Sequence, residues 1–331
     1  MRKSGLYVTF LVFFLAFVSG PMREAEGRTY FSYISDSPSS SVVYWVAKEA
    51  GIFKKHGLDI ELIFINGSTR GIQSLISGDV PFTSAVGTAV INGRLAGGDI
   101  AIINSLTNTL PYYIFGKAEI KSPEDLKGRS AAMHIPGTAA DFALRLALKG
   151  VGLSLKDIKG VTVGGGPARV AAVASGQLDF TVGPEGEKIR GEQAGLKVVI
   201  DMAKLNIPFQ FTCTVATRKM IRENPDAVQR VVRALAEAVH YYKTNKEGTI
   251  GVMQKYTRGQ GRGFLEPVWQ AQKALLVEDT YPTMEGLKNT LEIQATLDPK
   301  AAKAKAEDFV DLRFVEELKK TGFVDKLYGR R

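Results

Sequence analysis

The chain has 331 residues and a net charge of +9, with 45% hydrophobic and 23% charged residues. This composition is typical of a globular protein and excludes a disordered one. The single cysteine, Cys213, excludes an internal disulfide and a cysteine-held metal cluster, and we expect it to be a buried small residue. No recognition motif accompanies the basic charge, so nucleic acid is not an expected partner.

Residues 1–27 predict a cleavable secretory signal peptide. Arg2-Lys3 is a positive region, residues 6–18 are a nearly unbroken apolar run, and Ala25 and Gly27 suit cleavage after residue 27. The run is shorter than the ~20 residues of a membrane-spanning helix; a short uncleaved anchor is the alternative. No cysteine follows the run to accept a lipid. We therefore expect a soluble protein that is exported and not lipid-anchored.

The chain contains one unit twice. Residues 29–103 and 127–201 align without a gap at an offset of 98, which places Ser77-Gly78 over Ser175-Gly176 and Phe82-Thr83 over Phe180-Thr181. Two copies of one unit predict two similar lobes, with a ligand site in the cleft between them.

Each copy reads as alternating strands and helices. The first copy predicts strands at 29–34, 60–65, 80–83 and 100–104, and helices at 42–55, 70–77 and 88–95. The second predicts strands at 130–134, 161–163, 180–182 and 197–200, and helices at 138–149, 168–174 and 185–193. Segments 110–115 and 209–216 are the expected crossover strands of a hinge. Helical patterns follow, beginning with a cap at Asn224 and continuing at 269–277, 285–294 and 309–319.

The predicted fold class is α/β, with parallel-rich sheets covered on both faces. We expect residues 28–110 and 216–331 to form the first lobe, including a helical C-terminal extension, and residues 111–215 to form the second. Ligands of such sheets bind beyond the carboxyl ends of the strands. The repeat pairs the loops there: 35–41 with 133–139, 66–70 with 164–168, and 84–88 with 182–186.

These loops place small polar residues at six predicted helix starts, where unpaired backbone N–H groups favour an anion. Helix capping is the alternative role for each serine or threonine. Arg70 and Arg169 could clamp an anion or lie exposed on their helices, and a cleft-facing Glu185 would require a ligand amine or other donor. The predicted ligand-binding residues are Ser37, Ser40, Ser41, Gly67, Ser68, Thr69, Ser84, Ala85, Thr138, Gly165, Arg169 and Glu185.

Three segments carry a family resemblance: residues 46–62 (VAKEAGIFKKHGLDIEL), residues 73–80 (QSLISGDV) followed by Phe82-Thr83, and residues 122–128 (SPEDLKG). Over about residues 29–245 the chain resembles periplasmic substrate-binding proteins of ABC importers, of the sulfonate, taurine, nitrate and thiamine-precursor type. The resemblance implies a type II periplasmic binding fold, a monomer that closes on a small ligand and presents it to a membrane permease. The family often has Glu-Pro where this chain has Pro184-Glu185.

The leading hypothesis is a non-catalytic, cofactor-free binding protein for a sulfonate, carboxylate, zwitterion or thiamine-type pyrimidine. The alternative is an enzyme on the same fold acting on a small heterocycle or acid around His134, the one histidine predicted near the cleft. Fungal pyrimidine synthases of this architecture use a cysteine-rich cluster, which Cys213 alone does not supply. No second ligand lies at metal-binding spacing from His134. An effector domain of a transcription regulator would need a helix-turn-helix where this chain has its export signal.

Overall fold

The computed structural model describes residues 29–205, 207–296 and 298–330, and the predicted signal peptide lies outside them. Ten strands in these residues form two five-stranded sheets. The strands are β1 (Thr29–Tyr33), β2 (Ile60–Phe64), β3 (Phe82–Val86), β4 (Ile100–Ser105), β5 (Tyr112–Gly116), β6 (Ser130–Met133), β7 (Lys159–Thr162), β8 (Phe180–Pro184), β9 (Lys197–Asp201) and β10 (Thr212–Thr217).

Both sheets have the same topology. The first has the order β2-β1-β3-β10-β4 and the second β7-β6-β8-β5-β9. In each, three strands of the local repeat are parallel, and one strand from outside the repeat pairs antiparallel with two neighbours. Apart from these inserted strands, β10 and β5, each sheet consists of one copy of the repeated unit. The expected α/β fold with two similar lobes is confirmed.

Fourteen helices in the described residues surround the sheets. They are α1 (Pro38–Glu49), α2 (Ile52–Lys55), α3 (Ser68–Ser77), α4 (Gly87–Leu95), α5 (Ala139–Gly150), α6 (Gly166–Ala174), α7 (Glu185–Gln193), α8 (Arg218–Glu223), α9 (Pro225–Thr244), α10 (Lys246–Tyr256), α11 (Arg262–Leu275), α12 (Met284–Ala295), α13 (Arg313–Lys320) and α14 (Phe323–Leu327). None of the helices among these residues has the length and apolar character needed to cross a membrane.

The repeat offset is 98 in only part of the structure. Strands β3 and β8 begin at Phe82 and Phe180, and α4 and α7 begin at Gly87 and Glu185, so both pairs are 98 residues apart. Helices α1 and α5, however, begin 101 residues apart. The gap-free alignment is therefore wrong upstream of β2. The first copy has the longer connection there, and that connection contains α2.

Two short segments connect the lobes and run antiparallel to each other. The N–H of Phe209 donates to the carbonyl of Asn108 at 2.9 Å, and that of Phe211 to the carbonyl of Thr107 at 3.1 Å. Beyond them, β10 pairs with β3 and β4 of the first sheet. The predicted boundary after residue 215 is therefore too late. The apolar pattern of 209–216 predicts a strand and carries no information about which sheet it joins.

The C-terminal helices complete the core of the first lobe. Helix α9 packs on α1, and the cluster they share joins Phe31 and Trp45 to Val232, Leu235 and Tyr242. Helix α12 adds Leu287 and Leu291 to a second cluster on the same lobe. The first lobe is thus the first sheet with these helices, and the second lobe is the second sheet with α5, α6 and α7.

Candidate ligand-binding cleft

A cavity of about 880 Å³ lies between the two lobes. It is lined by the N-terminal residues of α1, α3 and α4 from the first lobe and of α5, α6 and α7 from the second. Each of these helices follows a strand whose carboxyl end points to the cleft. The three loop pairs predicted from the repeat do meet at one site. The first-turn N–H groups there have no partner within their helix, so this edge of both lobes suits an anionic or acceptor group.

The cleft contains nine of the twelve predicted residues. Ser37 lies before α1, and its hydroxyl makes a 2.8 Å hydrogen bond with that of Ser39 rather than capping the helix. Thr138 does cap α5, accepting from the N–H of Asp141 at 3.4 Å. The nine that line the cavity are Ser37, Ser40, Gly67, Ser68, Thr69, Thr138, Gly165, Arg169 and Glu185.

Ser41, Ser84 and Ala85 lie outside the cavity lining, so their predicted place in the cleft is wrong. Ser41 is buried, and its hydroxyl donates to the carbonyl of Ser35 at 2.7 Å. Ser84 is buried inside β3, where its hydroxyl accepts from the N–H of Ile34 at 3.2 Å. The predicted strand ended at residue 83, whereas β3 continues to Val86. The cleft therefore begins later in the chain, at Val86 and Thr88.

Arg169 borders the cleft, but its guanidinium group is engaged within the second lobe. The side chain is 2% exposed, and Nη2 forms an ion pair of 2.8 Å with Glu187 Oε2. The same nitrogen donates to the carbonyl of Val182 at 3.2 Å, and Nη1 donates to that of Gly164. Glu187 was not predicted as a site residue, because it is 18 positions from Arg169 in the sequence and no local motif links them.

Two further acidic residues line the cleft. Glu185 is buried at the start of α7, and its Oε1 lies 2.7 Å from Lys188 Nζ. Asp36 is exposed before α1. Burial raises the pKa of the third lining carboxyl group, Glu187, although the charge of Arg169 opposes this shift.

Positive charge enters the cleft from three exposed arginines, Arg70 on α3, Arg190 on α7 and Arg258 between α10 and α11. No carboxylate of the described residues forms an ion pair with any of them. Arg258 has a positive φ of 54°, a conformation that non-glycine residues adopt at a cost. In the sequence this segment is visible as a glycine-rich connection at 257–261, but it was not predicted to line the cleft.

His134 also lines the cleft. Its Nδ1 accepts a hydrogen bond of 2.8 Å from the N–H of Ile135. Burial, and then the charge of Arg169, lower the pKa of His134, which favours the neutral form of the imidazole. In the part of the chain that the structure describes, no three His, Cys, Asp or Glu side chains are grouped to hold a metal ion.

Helix α11 extends the cleft wall from the first lobe to the second. Phe264 lines the cavity, and its ring lies 5.2 Å from the guanidinium carbon of Arg190 on α7. A Cβ at Gly186 would lie 3.0 Å from the same ring. The sequence patterns predicted a helix near Trp269 but gave no sign that its first turn touches the second lobe.

Relatives of known structure share this fold. The aliphatic sulphonate-binding protein SsuA of Escherichia coli superposes with a TM-score of 0.72 at 19% identity, over 86% of this chain and 92% of that one. SsuA of Xanthomonas axonopodis pv. citri, bound to MOPS, gives 0.66 at 16% identity, over 84% and 95%. The desulfurization enzyme DSZB gives 0.67 at 14% identity, over 89% and 100%. The two-lobed architecture is therefore the periplasmic binding protein fold.

Sequence comparison gives the family. A Brucella abortus protein, whose name assigns it to the binding proteins without naming a ligand, is 28% identical over 235 residues, which cover 68% of this chain and 70% of that one. The family model described as NMT1/THI5 like matches residues 39–248, which is more than half of the chain. The chain belongs to the NMT1/THI5 like family.

Proposed function

We propose that this protein is the periplasmic solute-binding component of an ABC importer. It binds a small polar organic ligand between its lobes and delivers the closed form to a membrane permease. The observation that carries the proposal is the convergence of six helix N-termini from two lobes on one cavity of about 880 Å³. Sites for small organic molecules have volumes of roughly 300–1,000 Å³.

The family and the fold support a binding function. Sulphonate-binding proteins of two organisms share the architecture, and the Brucella relative has a binding-protein name. A ligand that contacts both lobes stabilises the closed state, because closure depends on the difference in affinity between the two states. The ligand classes proposed are sulfonates, carboxylates, zwitterions and thiamine-type pyrimidines. The nine predicted residues that line the cavity are the proposed contacts.

A panel of these four classes tests the proposal in thermal unfolding, with the protein lacking residues 1–27. One class should raise the melting temperature, since a ligand at 100 times its Kd stabilises the folded state by about 2.7 kcal/mol. For an anionic hit, Arg70→Gln should weaken binding about tenfold, the effect of losing one charged hydrogen bond. Lys149→Gln, which changes an exposed cation at the end of α5, is the matched control. No shift with any class would contradict the proposal.

An enzyme on the same fold is the second candidate, because DSZB shares the architecture and His134 supplies an imidazole in the cleft, with its neutral form favoured. The same panel separates the two functions when the mixtures are analysed by mass spectrometry. A binding protein returns its ligand unchanged, whereas an enzyme consumes it.

A further inference from the structure

The second lobe contains an internal anion at the N-terminus of one of its cleft helices. Glu187 on α7 is 15% exposed and lines the cavity, and its Oε2 pairs with the buried Arg169 of α6 at 2.8 Å. Arg169 Nε has no hydrogen-bond partner among the described residues. The Glu187 carboxylate is thus paired with Arg169, a buried cation of the cleft wall. The Nε–H group of Arg169 remains available to donate a hydrogen bond.

Two glycines make room for this carboxylate. Gly166 is the first residue of α6 and Gly183 lies in β8. A Cβ at Gly166 would overlap Glu187 Oε1, and a Cβ at Gly183 would overlap Glu187 Oε2. The carboxylate therefore lies directly against the first turn of α6, where the partial positive charge of the helix favours an anion.

The first lobe lacks this arrangement. Over the region where the two copies keep the offset of 98, Arg169 corresponds to Gly71, Glu187 to Ala89 and Gly166 to Ser68. The N-terminus of α3 has no internal carboxylate among these equivalents and carries the exposed Arg70 instead. In both lobes these helices begin at the cleft. In the second lobe the Glu187 carboxylate occupies the anion-binding position at the N-terminus of α6, whereas the equivalent residues at α3 supply no carboxylate.

We propose that Glu187 is a specificity-determining residue that excludes an anionic group of the ligand from the N-terminus of α6 in the second-lobe wall. This rests on the proposed binding function. The anionic group of a ligand is directed to α3 and Arg70, and the part of the ligand that faces α6 is neutral or donates hydrogen bonds. A ligand with an anionic group at both ends would place one of them against the Glu187 carboxylate, and the repulsion prevents it from binding.

The test uses inorganic sulfate as the probe, measured by isothermal titration calorimetry at constant ionic strength. Glu187→Gln removes the negative charge beside Arg169 and the α6 N-terminus while keeping the volume of the side chain, so sulfate is no longer repelled there and the variant should bind it about tenfold more tightly than the wild type. The gain should persist in Arg70→Gln/Glu187→Gln, which removes the exposed first-lobe arginine. Glu192→Gln, an exposed carboxylate on the same helix, is the control for net charge and should behave as the wild type.

A sulfate affinity of Glu187→Gln equal to that of Glu192→Gln would overturn the proposal. If Glu187→Gln does not fold in chloride, millimolar sulfate should restore its circular dichroism. The comparison is Asp179→Asn, which weakens the same lobe by removing a carboxylate that binds Ser130 and Lys117, and sulfate should not raise its stability. Absence of this difference also overturns the proposal. The assay needs no transported ligand. A negative sulfate result therefore contradicts the role of Glu187 without affecting the ligand-binding result of the panel. A negative panel contradicts the proposed binding function without affecting the sulfate result.

Discussion

Asp179 holds two neighbouring segments of the second lobe to the start of β8. Its carboxylate accepts from the N–H of Ser130 at 2.8 Å and from the hydroxyl of Ser130 at 2.7 Å, and it pairs with Lys117 Nζ at 2.9 Å. Partial burial opposes ionisation, but these donors outweigh it and lower the pKa of Asp179 to about 2. The ionised carboxylate is therefore a structural group between β6 and the end of β5.

Asp179→Asn should lower the free energy of unfolding at pH 7 by about 1.5–3 kcal/mol, the usual contribution of hydrogen bonds to a charged group. A carboxyl pKa that is lowered in the folded state stabilises the protein above the unfolded value of 3.8, and this contribution is lost as the pH falls towards 2. Urea unfolding of both proteins at several pH values measures this. Their difference should narrow between pH 4 and pH 2, and a constant difference would contradict the assignment.

Single residues also show why only part of the cleft was predictable. The place of Ser68 and Thr138 in the cleft could be predicted, because a small polar residue between a strand and the following helix lies at the carboxyl edge of the sheet, where the cleft is. Ser84 has the same local pattern, but β3 continues through it and buries it. The pairing of Arg169 with Glu187 depends on α6 and α7 packing side by side, and no periodicity in the sequence encodes that contact.

Among the elements, α4 is fixed to the hinge by a close backbone contact. The N–H of Gly87, its first residue, donates to the carbonyl of Gln210 at 2.9 Å. A Cβ at Gly87 would lie 2.6 Å from that carbonyl oxygen and 2.8 Å from Gln210 Cβ. Gln210 itself is buried, with its amide nitrogen 2.6 Å from Ser105 Oγ. The strand leading back to the first lobe is thus held against the helix that lines the cleft.

Gly87→Ala should therefore destabilise the protein by about 1–3 kcal/mol, the usual cost of overpacking a well-packed site. Gly150→Ala is the matched control, because a Cβ at Gly150, the last residue of α5, meets no atom within 4 Å. We expect that change to be neutral or slightly stabilising, since alanine is the better helix former. Urea unfolding measures both, and equal stabilities of the two variants would refute the role given to this contact.

Helix α10 is an element that the sequence patterns did not predict. The repeat located β3, β8, α4 and α7 because two copies of one pattern support each other, although β3 continues to Val86, beyond its predicted end. Helix α10 lies outside the repeat, and Gly248 and Gly251 weaken its helical pattern. Its stability comes from packing: Tyr256 stacks on Trp45 at 4.7 Å, and its hydroxyl donates to Glu49 at 2.8 Å.

At the scale of the whole molecule, α10 and α11 make the C-terminal helices part of the cleft. Tyr256 ties the end of α10 to the first lobe, residues 257–261 run along the cavity, and Phe264 touches the second lobe. Besides the two hinge segments, this is a further contact between the lobes. Its strength should therefore influence the balance between open and closed states.

Phe264→Ala should shift that balance towards the open state. The ring contributes a cation–π contact with Arg190 and apolar packing at Gly186, together about 1–1.5 kcal/mol, which corresponds to about a tenfold change in the equilibrium. Phe264→Leu keeps the packing and should give an intermediate shift. Phe323→Ala, whose ring faces His56 within the first lobe, is the control and should leave the balance unchanged.

Spin labels on Lys54→Cys and Lys149→Cys report the separation directly, because these exposed positions lie on different lobes. The native Cys213 does not interfere, since it is fully buried and burial raises the pKa of its thiol. Phe264→Ala should lengthen the distance between the labels in the absence of ligand, and a saturating ligand should restore the shorter distance. Identical distances in Phe264→Ala and Phe323→Ala would show that the α11 contact does not govern closure, and that the hinge segments alone set the balance.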